Sequence, residues 1–169
     1  GILAGANLRT WDLDVSALNQ TRKPWITRVE AGRTVDVFNV FAGAGGVAGG
    51  AAGSSTTRVD NITRVEVGDG AQVRVQGDPD DAGRTRFNAV SDVMLRDRAK
   101  LEAGGAISAA DAESIVQVNA NPIAQGDGGR TEASVGRNVV IDTVGDFDLA
   151  AREHADVDAR ASSKTWGLA

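Results

Sequence analysis

Cysteine is missing from all 169 residues, and with it any disulfide framework or thiolate metal site. Tyrosine is missing too, histidine occurs once, and aromatic residues make up 4% of the chain. A core built around large rings is therefore excluded, whereas a narrow interior filled by Val, Ile, Leu and Ala is not. Three prolines among 21 glycines rule out a collagen-like chain. No window approaches 18 uninterrupted apolar residues, so nothing reads as a membrane span. The net charge is −5, with arginines scattered among acids. That leaves no basic patch and no nucleic-acid motif, and so no nucleic-acid partner. Gly1-Ile2-Leu3-Ala4-Gly5 lacks the charged start of a signal peptide. Both ends read as cuts in something longer.

What the chain does have is a turn followed by a strictly alternating strand. In Val67-Gly68-Asp69-Gly70-Ala71-Gln72-Val73-Arg74-Val75-Gln76-Gly77, Ala71, Val73 and Val75 fall on one side and Gln72, Arg74 and Gln76 on the other. This is the period-2 signal of a half-buried strand. The pattern returns 28 residues on at Leu95–Gly105 and 40 further at Val135–Gly145, with a fainter copy at Val29–Val37. Alternation also marks Leu13, Val15 and Ala17, the stretch after Ala106, and the stretch after Asp146. A unit that cannot bury its apolar side alone must stack on its neighbours. The length then suits one compact domain or about eight turns of a solenoid at roughly 20 residues each.

The expected fold is all-β: a single parallel β-solenoid segment over residues 1–169, interrupted by loops near 19–25, 78–86 and 121–131. Val73, Val75, Leu101, Ala103, Ile141 and Thr143 are expected to share one inward face. Residues 93–118 contain good helix formers, but Gly104-Gly105 and the period-2 spacing argue for strand. The run Ala42–Gly53 is almost purely Gly and Ala. It reads either as a flexible linker or as packed strand in which small residues allow close backbone approach.

One order of motifs resembles a known family. An apolar strand at Val35–Phe41 precedes the Gly/Ala run, and Asn61-Ile62-Thr63-Arg64-Val65-Glu66-Val67-Gly68-Asp69-Gly70-Ala71 follows it. This is similar to the internal repeats of large bacterial filamentous adhesins of the filamentous-haemagglutinin and leukotoxin types. The resemblance implies a right-handed parallel β-helix that serves as a non-catalytic shaft at the bacterial surface. It implies flanking repeats of the same chain, and contact with a host or neighbouring-cell surface or its glycans. The later copies depart from the motif, with Arg96-Asp97-Arg98 and Gly136-Arg137-Asn138 in place of Gly-Asp-Gly.

Few residues suggest chemistry. Asp69, Asp78, Asp80 and Asp81 could offer loop oxygens to Ca²⁺, but their spacing fits neither an EF-hand nor a Gly-rich nonapeptide repeat. Solvated turn acids are the simpler reading, and no other cofactor is expected. Asp142, Asp146 and Asp148 could serve a β-helix enzyme acting on polysaccharide, the alternative function, if their carboxyls converge. Glu153 and His154, with Asp156 and Asp158, read as surface. Gly43–Gly53 lacks the Lys-Ser/Thr of a phosphate loop. Trp11, Trp25 and Trp166 could stack on sugars or cap strand ends. An ice-binding surface would need a regular outward Thr ladder, and Thr56, Thr57, Thr63 and Thr85 are too irregular for one.

Overall fold

The computed structural model describes residues 1–78, 80, 82–120 and 129–167, apart from the side chain of Asp36. Among these residues the chain is all strand and turn, with no helix. In order the strands are β1 (Asn7–Thr10), β2 (Leu13–Lys23), β3 (Ile26–Glu30), β4 (Arg33–Val37), β5 (Val40–Ala44), β6 (Ala48–Val59), β7 (Ile62–Val67), β8 (Gln72–Val75), β9 (Arg84–Gly104), β10 (Ile107–Val118), β11 (Arg130–Val135), β12 (Val140–Thr143) and β13 (Asp146–Trp166). The residues group into two compact units. The first is Gly1–Gln20, Asp60–Asp92 and Asn119–His154; the second is Thr21–Val59, Val93–Val118 and Ala155–Ala169.

In the first unit every sheet pairs strands that lie far apart in sequence. β8 sits between β1 and β12, all parallel, with Val73 opposite Leu8 on one side and Ile141 on the other. β7 pairs in parallel with β11, and Ile2 bridges to Val67. Partners in β8 and β12, and in β7 and β11, are 68 residues apart; those in β1 and β8 are 65 apart. The recurrence is thus over sixty residues long, not twenty. The offsets of 28 and 40 seen in the sequence are parts of one 68-residue repeat.

Three sequence expectations are corrected here. Leu101 and Ala103 do not stack on Val73 and Val75; they pair with Ala42 and Ala44 of β5. Arg96-Asp97-Arg98 is not a turn, because it lies inside the 21-residue strand β9. The residues around 19–25 are mostly not loop: β2 runs through Lys23, leaving only Pro24 and Trp25 between strands. Pairing of β2 with β9 satisfies the backbone there, and an acidic partner awaits Lys23, so polar residues are held extended despite weak local preference. The other two loops are shorter than expected, since β9 starts at Arg84 and β11 at Arg130. Residues 121–128 of the third lie outside the described residues.

The core of the first unit follows the alternation. Val65, Val67, Ala71, Phe87 and Ala89 are fully buried, with Leu13, Val15, Ala17, Ala133, Val139 and Ile141 packed around them. Burial is complete only on the middle strand of each three-stranded stack: Val73 and Val75 are closed off, whereas Ile141 remains half-exposed. Outward charges pair across strands. Arg74 meets Asp142 at 3.0 Å, Arg64 meets Glu132 at 3.8 Å, and Arg86 lies between Asp14 (3.8 Å) and Asp148 (3.7 Å). Each such exposed pair contributes at most about 1 kcal/mol.

In the second unit, β6 and β10 pair in parallel over twelve positions, from Ala48 opposite Ile107 to Val59 opposite Val118. β5 pairs with β9 at the same spacing of 59 residues. The Gly/Ala run is therefore strand. Its small residues permit close approach: a Cβ on Gly49 would stand 2.6 Å from the Gly104 carbonyl oxygen.

The second unit also holds the one antiparallel pair among the described residues, the β3–β4 hairpin. An all-parallel arrangement is thus corrected at this point. Ala31 and Gly32 both have positive φ, 48° and 74°, as a two-residue type I′ turn requires. Ala31 carries the steric cost of a Cβ in the left-handed region. Ala31→Asn is expected to stabilise the hairpin by about 0.5–1 kcal/mol. Because β3 is exposed along its whole length, the gain should show as slower amide exchange confined to 26–37, with little change in global melting.

Candidate functional site

The carboxylates singled out for Ca²⁺ do not come together. Among the described residues, no group of three or more His, Asp or Glu side chains is placed to hold a metal ion. Asp69 instead serves the corner between β7 and β8. It accepts from the Arg137 backbone N–H at 2.7 Å and from the Arg137 guanidinium at 2.9 Å. The backbone hydrogen bond first, then the guanidinium, holds its carboxyl below the ordinary range. The Asp78 carboxylate accepts the Asp80 backbone N–H at 2.7 Å, a local turn; Asp81 lies outside the described residues. Adding or chelating Ca²⁺ is expected to leave the melting temperature within about 1 °C, since only ligands that bind the folded state shift it.

The three acids weighed for polysaccharide chemistry are held separately. Asp142 faces Arg74 on the β1–β8–β12 sheet, while Asp148 faces Arg86 of β9. Asp146 lines a cleft with Asp12, Asp14, Gly83 and Arg84, where Asp12 accepts the Arg84 backbone N–H at 2.7 Å. Glu153 accepts from the Asn119 side-chain amide at 2.6 Å, and His154 is exposed. In the second unit, Asp156 receives both ends of the Arg96 guanidinium, at 2.9 and 2.5 Å. Asp158 is held below its ordinary range, chiefly by the Arg160 hydrogen bond.

The tryptophans differ from one another. Trp25 lies beneath the guanidinium groups of Arg98 (4.4 Å) and Arg160 (5.1 Å), an intramolecular cation–π stack. Trp166 packs on Gly104, where a Cβ would collide with its indole. Trp11 is 61% exposed.

Two arrangements were not foreseen. The first is internal to the second unit. Asp97 is wholly buried and accepts from Lys23 Nζ (2.7 Å), Ser55 (2.8 Å), Thr57 (3.1 Å) and Ser114 (2.6 Å). Burial pushes the Asp97 carboxyl up, and the four donors together outweigh it, so the group stays below its ordinary range. A signal was available: Asp97 shares the phase of Leu95, Ala99 and Leu101. The second is the outer face of the β1–β8–β12 sheet, where Asn7, Arg9, Gln72, Arg74 and Asp142 line a cleft of about 380 Å³. A second hollow continues from it through Arg9 and Gln76 to Thr10 and Trp11. Comparison with family models, curated proteins and solved structures finds no match to this chain.

Proposed function

We propose that the chain is a segment of right-handed parallel β-helix that acts as a non-catalytic shaft of a bacterial surface adhesin. The observation that carries this reading is the parallel pairing of strands 59–68 residues apart, with apolar residues inward and ion pairs outward. Such stacking gives length and stiffness, while corners and outward faces are free to vary. Flanking repeats would continue the stack, and outward residues would meet a host or neighbouring cell. The separate ion pairs of Asp142 and Asp148 favour this over a polysaccharide-cleaving enzyme, which needs converging carboxyls. Antibody raised against the chain is expected to label intact cells of the source organism. Purified chain mixed with a panel of polysaccharides is expected to release no new reducing ends. Labelling only after lysis, or turnover that Asp142→Asn abolishes, overturns the reading.

A further inference from the structure

We infer that the outer face of the β1–β8–β12 sheet binds a carboxylate-bearing oligosaccharide, with Arg9 as the anion contact and Trp11 as the stacking platform. This deepens the adhesive part of the preceding reading, but it needs only this sheet. Its failure would leave the shaft intact.

The first observation is the state of Arg9. Its Nε donates to Gln76 Oε1 at 2.9 Å, which orients the guanidinium and leaves the two terminal nitrogens to other partners. Among the described residues no carboxylate pairs with it. Its neighbour Arg74, by contrast, is held by Asp142. The cleft thus holds two arginines against one aspartate, a local positive balance in a chain of net charge −5. An oriented, uncompensated guanidinium is suited to bidentate capture of a carboxylate.

The second observation is what surrounds it. Asn7 and Gln72 line the same cleft, and Gln76 the adjoining hollow. Carboxamides both donate and accept, as ring hydroxyls require. Parallel strands space these groups about 4.8 Å apart across the sheet and about 6.6 Å apart along each strand. The result is a flat polar grid with little apolar area, suited to a sugar chain and poorly suited to an apolar peptide. At its end stands the exposed indole of Trp11, against which the apolar face of a sugar ring can pack.

The test is a calorimetric titration of the purified chain with oligogalacturonate, with uncharged oligogalactose and with inorganic sulfate. Saturable binding of oligogalacturonate in the millimolar range or tighter is expected, at least tenfold stronger than for the neutral oligomer, and weakened by salt. Arg9→Gln should cost at least tenfold, and Trp11→Ala about fivefold. Arg33→Gln, on the hairpin of the second unit, should change nothing. All three positions are exposed, and unchanged melting checks that the variants fold. The inference is overturned by no saturation at about 10 mM oligomer, by equal binding of the neutral sugar, or by retained affinity in Arg9→Gln. Sulfate binding as tightly, with Trp11→Ala silent, would also overturn it, because the site would then be a simple anion site.

Discussion

Val73→Asp is expected to cost several kcal/mol, a large share of a domain's total stability, whereas Gln72→Asp should stay within about 0.5 kcal/mol. The two positions are adjacent on β8 and receive the same new side chain. They differ in direction. Val73 is 1% exposed, enclosed between Leu8 on β1 and Ile141 on β12, with strands on both sides. A carboxylate there has no donor to meet it. Gln72 points outward beside Asn7 and Val140 and stays wet. Urea midpoints measure the contrast directly, and equal losses would refute the assigned phase. Protonation offers a check on mechanism. The Val73→Asp variant should regain stability as pH falls, because the neutral acid is less costly to enclose.

The buried Asp97 cluster should give the second large effect. Lys23→Met leaves a fully enclosed carboxylate with only hydroxyl donors and is expected to cost about 3 kcal/mol at neutral pH. Asp97→Leu should cost about 2 kcal/mol, less because Lys23, 32% exposed, can turn toward water while three hydroxyls lose their acceptor. The double variant should fall short of the sum by roughly 1–3 kcal/mol, since neither charge is then left unpaired. The sign of the pH dependence follows from the lowered folded-state value of Asp97. Its contribution is complete above the ordinary carboxyl range and is lost as pH falls through the folded value. The gap between wild type and Lys23→Met should therefore narrow between neutral pH and about pH 3. A constant gap would mean that Lys23 acts by packing alone.

Period-2 alternation made the strands around Leu13, Gln72, Ile107 and Asp146 legible, and with them the inward set Val73, Val75, Ile141 and Thr143. It also settled 93–118 as strand, because Gly104 and Gly105 interrupt any helix there. What alternation cannot carry is which strand lies beside which. Leu95–Gly105 looks like Val67–Gly77, yet one lies within a strand facing Ala42 and Ala44 and the other rounds a corner. The difference comes from partners about sixty residues away, beyond any local window. The polar inward residues hid for a related reason: Lys23 and Asp97 are 74 positions apart, and each alone looks like a solvated charge. Trp11 was noticed as a sugar platform, but Arg9 was not. Its orientation depends on Gln76, 67 residues downstream.

The pentapeptide Ile-Thr-Arg-Val-Glu occurs twice, at 26–30 and 62–66. The first copy is the exposed arm of an antiparallel hairpin; the second is a parallel strand with Thr63 and Val65 buried. Val29 is 72% exposed and Val65 2%. The molecule therefore contains its own reference experiment. Trimming each valine to alanine removes the same two methyl groups from the same immediate sequence. Intrinsic preference and denatured-chain effects enter both measurements alike and drop out of their difference. The remainder, on the order of 2 kcal/mol, is what one side chain gains by leaving water, read within a single protein and without a reference solvent.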